Sequence, residues 1–294
     1  MSYAFIRYQV ADQVALLTLA RPDKLNAISG AMVAELREAL ERADTDDDVR
    51  VLIVTGEGRA FCAGADMSRG AETFKAPKSD GLFAADGTAD YAAEAAREVG
   101  GIFALQLYAM TKPVIAAING AAVGMGATMI LPMDIRIASE EARFGFVFAR
   151  RGMVPEVGSS WFLPRVVGIA KSLEWCLTGR LVPATEALRE GLVSAVVPAA
   201  DLLPEAHRVA REIAENTAPV AVALTRQMLW RGLGMNHPME AHRIESRGTL
   251  SRGRSTDAAE GVAAFLEKRA PEFPGRVSTD MPDYYPWWED PNYS

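Results

Sequence analysis

Apolar positions along this chain change period in a regular way, and that rhythm predicts its elements. Val14–Leu19 is an alternating apolar run ended by Ala20-Arg21-Pro22-Asp23, which reads as a strand and its exit turn. Over Ala31–Asp44 the residues Met32, Val33, Leu36, Ala39 and Leu40 recur at helical spacing, with Ser29 placed to cap the first turn. After Asp46-Asp47-Asp48, the β-branched run Val49–Thr55 predicts a buried strand stopped at Gly56. The chain thus opens strand, helix, strand, an α/β pattern. Further strands are predicted over Val114–Ile118, Ile135–Ala138 and Leu192–Val197, and helices over Tyr91–Met110, Ala127–Leu131 and Gly168–Thr178. From Asp201 onward the character is helical, over Asp201–Asn216, Pro219–Arg231, Pro238–Leu250 and Thr256–Arg269. Two stretches lack a period. Residues 67–90 read as a long exposed loop able to wall or cover a pocket. The tail Pro271–Ser294 carries five prolines and Tyr284-Tyr285-Pro286-Trp287-Trp288, and its aromatics favour docking on a neighbouring subunit over disorder.

Composition narrows the function more than the fold. With 49% apolar and 23% charged residues the chain is an ordinary globular one, long enough at 294 residues for one large core or two modest ones. A net charge of −7 without a basic run argues against nucleic acid or an anionic membrane as the main partner. No secretory signal opens the chain, and Val114–Ala122 is far too short to span a bilayer. Cys62 and Cys176 lack metal-like spacing and read as free thiols of a reducing cytoplasm. His207, His237 and His242 form no ligand cluster, so neither a metal nor a resident cofactor is expected.

Candidate chemistry lies in two small-residue turns. Ala60-Phe61-Cys62-Ala63-Gly64-Ala65-Asp66 follows one buried apolar run, and Asn119-Gly120-Ala121-Ala122-Val123-Gly124-Met125-Gly126 follows another. Each turn alone has a bland reading as a strand exit. Together they can aim two backbone N–H groups at one developing negative charge, one of them in the first turn of a helix, where N–H groups have no internal partner.

These turns, with Arg21-Pro22-Asp23-Lys24-Leu25-Asn26-Ala27, Lys112–Gly120, Met133–Ala138, Ala142–Gly145 and Glu260–Arg269, make the chain resemble the crotonase family, the enoyl-CoA hydratase/isomerase superfamily, over residues 5 to 275. The resemblance implies a spiral of ββα units over residues 1–200, a helical oligomerisation region over 201–275 building trimers or dimers of trimers, and a separate tail over 276–294. It implies an acyl-CoA thioester substrate and an oxyanion hole made by the N–H groups of Ala63 and Met125, the second aided by a helix dipole. CoA would lie along Lys24, Leu25 and Ala27, with its adenine near the backbone of Ala63, Ala65 and Asp66. Phe265 and Lys268 match positions that reach CoA, often from a neighbouring subunit, and Asp134 matches a structural position.

One departure redirects the expected chemistry. Hydration suits two carboxylates flanking a water, and the two positions that carry them in typical hydratases are Thr128 and Phe148 here. A carboxylate remains in Val154-Pro155-Glu156-Val157-Gly158, where one branch of Δ3-Δ2-enoyl-CoA isomerases carries its catalytic Glu. A 1,3 proton shift needs one base, and desolvation among Phe146, Phe148 and Trp161 would raise the pKa of Glu156 to suit it. The alternatives are hydration or acyl-CoA hydrolysis through Glu156, or an acyl-CoA-binding protein without catalysis. Arg150-Arg151 reads as a surface pair that could otherwise meet an acidic acyl group.

Overall fold

The computed structural model describes residues 3–75, 82–84 and 86–293. Among these residues the six-stranded sheet is ordered β1 (Ile6–Ala11), β2 (Val14–Leu19), β3 (Val51–Gly56), β5 (Val114–Ile118), β7 (Ile135–Ser139) and β10 (Ala195–Val197). A four-stranded sheet is ordered β4 (Ala60–Cys62), β6 (Ala121–Val123), β8 (Arg143–Gly145) and β9 (Leu181–Pro183). Of the strand pairs among the described residues, β1–β2 and β8–β9 are antiparallel and the others parallel. The chain winds as a spiral: β3, β5 and β7 lie in the first sheet, and each is followed by a short strand, β4, β6 or β8, in the second. Connecting these turns are helices α1 (Gly30–Thr45), α2 (Val99–Ala109), α3 (Met125–Thr128), α4 (Ser159–Val167), α5 (Ile169–Thr178) and α6 (Ala184–Arg189). Helices α7 (Leu202–Asn216), α8 (Pro219–Gly232), α9 (Pro238–Arg252) and α10 (Thr256–Glu267) follow.

The central strands β3 and β5 of the six-stranded sheet are buried on both faces, which is why they read as continuous apolar runs. Leu52, Val54, Val114, Ala116 and Ile118 face the core that α1 and α2 cover; Val51, Ile53, Ile115 and Ala117 face Leu202, Ala206 and Ala210 of α7. Small residues one turn apart let α7 approach the sheet closely. Helix α1 buries Met32, Val33, Leu36, Ala39, Leu40 and Ala43, and the Ser29 hydroxyl accepts from Met32 N–H at 3.3 Å, as its spacing predicts.

Several boundaries move. Strand β1 is an edge strand whose only buried residue is Ile6, so it shows no apolar run, and its turn through Asp12 and Gln13, both at positive φ, lacks the usual glycine. The expected helix Tyr91–Met110 begins only at Val99, because the Glu98 side chain caps it there. Strands expected over Val49–Thr55 and Leu192–Val197 begin at Val51 and Ala195, and the helix expected over Ala127–Leu131 is the single turn of α3.

The tail makes contacts on its own chain. Arg231 of α8 lies between the rings of Tyr108 (4.3 Å) and Trp288 (3.9 Å) and pairs with Asp290 at 2.9 Å. Tyr293 then lies under Arg97 at 5.1 Å. Cation–π contacts of this kind gain strength when partly desolvated.

Asp134 is the joint between the sheet and α8. Its carboxylate accepts from Val114 N–H at 2.8 Å, Arg226 Nε at 2.9 Å and Trp230 Nε1 at 2.7 Å, and the Arg226 side chain is 4% exposed. Asp134→Ala strands a buried guanidinium, so it is expected to lower unfolding free energy by about 3–5 kcal/mol in a urea titration. A loss under 1 kcal/mol would show the joint to be unimportant.

Candidate active site

The segment 21–28 is zipped along the turn 63–66. Ile28 N–H donates to Gly64 O at 2.7 Å, Asp66 N–H to Ile28 O at 2.9 Å, and Ala63 N–H to Leu25 O at 3.0 Å. Buried Asn26 makes the bend possible: its amide donates to Glu57 O (2.9 Å) and Ala60 O (2.8 Å) and accepts from Arg21 N–H (2.9 Å). Arg21 pairs with Asp66 at 2.8 Å, which holds that carboxyl down at about 2. Lys24, Leu25 and Ala27 therefore do stand beside Ala63, Ala65 and Asp66, with Lys24 exposed. Phe265 and Lys268 stand at the end of α10, Phe265 is 82% exposed, and neither lines the cavity that Ala65 and Met125 share.

These contacts correct one oxyanion donor. The Ala63 N–H is spent on Leu25, so it is not available to a ligand. Two residues on, the Ala65 N–H has no acceptor among the described residues, because the parallel bridge to Ile28 uses the peptide groups on either side of it. The Met125 N–H, first in α3, is likewise without an acceptor among the described residues. Gly126 lets the two turns interlock, since a Cβ there would lie 2.2 Å from Cys62 O. Because α3 is one turn long, its contribution is that of individual first-turn N–H groups rather than a helix macrodipole. Burial pushes the Cys62 thiol up to about 12, which leaves it inert near neutral pH.

Ala65 and Met125 line one cavity of about 140 Å3, and Glu156 lines it too. Phe148 and Met153 form apolar wall, as do Met67 and Phe74 of the long loop, of which residues 76–81 and Ala85 lie outside the described residues. Arg151 also lines the cavity, whereas Arg150 Nε donates to Thr178 O at 2.8 Å. Burial, and then the nearby charge of Glu98, raises the Glu156 carboxyl to about 7. Of the three aromatics expected around it, only Phe148 lines the cavity; Phe146 stacks on Trp175 at 5.8 Å, and Trp161 packs edge-on to Phe162 at 4.8 Å. Thr128 is fully buried, its hydroxyl donating to carbonyls of its own turn, Gly124 O and Met125 O, each at 3.3 Å. Glu156 is thus the sole carboxylate among the described residues lining the cavity. A larger open groove of about 710 Å3 runs along α8, but its charged groups, Asp134 and Arg226, are engaged with each other.

Sequence reasoning missed Ala65 as the free donor and Glu98 altogether. The first depends on which peptide faces segment 25–28, and the second on a contact across 59 residues.

Two sheets fed alternately by one spiralling chain, with a cavity where their turns meet, define the crotonase class of folds. The chain belongs to the enoyl-CoA hydratase/isomerase family, whose model matches residues 9–276. It is 42% identical over 264 residues to an enoyl-CoA hydratase of Alternaria alternata, covering 90% of this chain and 83% of that one. It is 35% identical over 279 residues to the 1,2-epoxyphenylacetyl-CoA isomerase of Escherichia coli, covering 92% and 99%. Among solved structures, a probable enoyl-CoA hydratase/isomerase from Mycobacterium abscessus superposes with a TM-score of 0.80 at 37% identity, covering 92% and 99%. The tail beyond residue 276 lies outside the family match.

Proposed function

We propose that this enzyme catalyses Δ3-Δ2-enoyl-CoA isomerisation, with Glu156 as the single base and the N–H groups of Ala65 and Met125 as the oxyanion hole. The thioester oxygen accepts from both N–H groups, which lowers the cost of forming the dienolate. Glu156 takes a proton from C2, the negative charge spreads to the thioester oxygen, and the same carboxyl returns the proton at C4. A carboxyl near 7 suits both steps, because it accepts and releases a proton with little penalty at neutral pH. CoA lies along Lys24, Leu25 and Ala27, and Phe265 and Lys268 reach the CoA of a neighbouring subunit in a trimer. The observation that carries the reading is the presence of one carboxylate where hydration calls for two. Several relatives are named hydratases, so the discriminating measurement is made on both reactions. Conversion of 3-hexenoyl-CoA to the conjugated 2-enoyl isomer is expected to exceed hydration of crotonyl-CoA by at least about a hundredfold, the scale of one acid–base group. Fast hydration without isomerisation would sink the proposal, and tight thioester binding without turnover would leave a binding protein.

A further inference from the structure

Glu156 belongs to a turn that does not hold its shape by itself. Val157, the next residue, is 1% exposed and sits at φ 60°, a left-handed conformation that a β-branched side chain rarely adopts. Something outside the turn must hold it there. The Val157 N–H donates to Glu98 Oε2 at 3.1 Å, across 59 residues of chain. The same carboxylate accepts from Gly100 N–H and Gly101 N–H, each at 2.5 Å, at the first turn of α2. Gly100 is what allows the approach: a Cβ there would lie 2.6 Å from Glu98 Oε1 and 2.8 Å from Val157 Cγ2. Three N–H donors on one carboxylate fix the place of the Glu98 side chain beside the turn.

We infer that Glu98 is a positioning residue: it locks the strained Val157 peptide and thereby sets where the Glu156 carboxyl enters the cavity. This rests on the reading of Glu156 as the base. A second consequence follows from the charge of Glu98, which adds to desolvation in keeping Glu156 protonated up to about 7. The other charged group on the cavity wall is Arg151, from the turn before Glu156, and Arg97 is paired with Glu94 at 2.9 Å.

The test compares wild type with Glu98→Gln, Glu98→Ala and Glu156→Gln on 3-hexenoyl-CoA, together with a 13C titration of the Glu156 carboxyl, assigned through Glu156→Gln. Glu98→Ala removes the acceptor and is expected to lower kcat at least tenfold with KM changed less than about twofold, the pattern of a misplaced catalytic group. Glu98→Gln keeps an acceptor oxygen and should recover most of kcat, while its Glu156 midpoint moves to lower pH because the repulsion is gone. Wild-type kcat in Glu98→Ala, or an unmoved Glu156 midpoint in Glu98→Gln, would overturn the inference. Full turnover in Glu156→Gln would instead remove Glu156 as the base, and the carboxyl titration would still decide the role of Glu98. Should Glu98→Ala fail to fold, Glu98→Gln and the titration carry the decision.

Discussion

Replacing Glu156 with Gln is expected to lower kcat for 3-enoyl-CoA isomerisation by about 10²–10⁴-fold, the usual worth of a general base, with little change in KM. The amide keeps the shape and polarity of the side chain but cannot hold the proton between C2 and C4. The pH dependence carries the same signature. The carboxyl works as a base only when ionised, so wild-type kcat/KM should rise from acid pH through about 7 and then level, and the mutant should lack that inflection. Stability should run the other way. The folded carboxyl titrates at about 7 against an ordinary 4.5, so the native state keeps a proton that the unfolded chain has already lost. Unfolding free energy therefore falls as pH rises across that interval, and the cost is complete above pH 7. Glu156→Gln removes a charge that the site holds at a cost, so its Tm should exceed that of wild type at pH 8, with the gap narrowing toward pH 4. A stabilised, inactive mutant is the expected signature of a site strained for function. Equal turnover in the two proteins would end the assignment.

Gly126→Ala is expected to have the second largest effect. The new Cβ would lie 2.2 Å from Cys62 O and 2.8 Å from Cys62 Cβ, and a backbone carbonyl cannot swing away as a side-chain end can. The turns carrying Ala65 and Met125 must separate, and an oxyanion donor moved by about 1 Å loses roughly 10²–10³ in kcat. Overpacking of this kind also costs about 1–3 kcal/mol of stability. Gly30→Ala is the control, because nothing lies within 4 Å of its added Cβ. A Gly126→Ala protein with near-normal kcat would show that the two turns need not touch for the oxyanion hole to work.

The tail adds a different lesson. Its aromatics signalled a contact surface, and within the chain Arg231 is sandwiched between Trp288 and Tyr108. An exposed aromatic run announces that a surface is needed, not which one. The pairing with Arg231 depends on how α8 and Tyr108 are brought together by the core.

The sequence by itself determined the buried parallel strands, the capped helix α1 and the helical second half. Local period, β-branching and capping chemistry act within a few residues and can be read there. It also marked the two glycine turns, the two missing carboxylates at Thr128 and Phe148, and Glu156 as the remaining candidate, because these are matters of residue type. Only the tertiary structure decided which peptide N–H is free. Ala63 and Ala65 are chemically identical, and the hydrogen bond that the Ala63 N–H donates to Leu25 O removes one and leaves the other. Only the tertiary structure brought Glu98 to Val157, since a contact across 59 residues leaves no local period or propensity to read. Backbone availability and the field around a carboxyl are properties of neighbours, and neighbours distant in sequence are chosen by the packing of the whole chain.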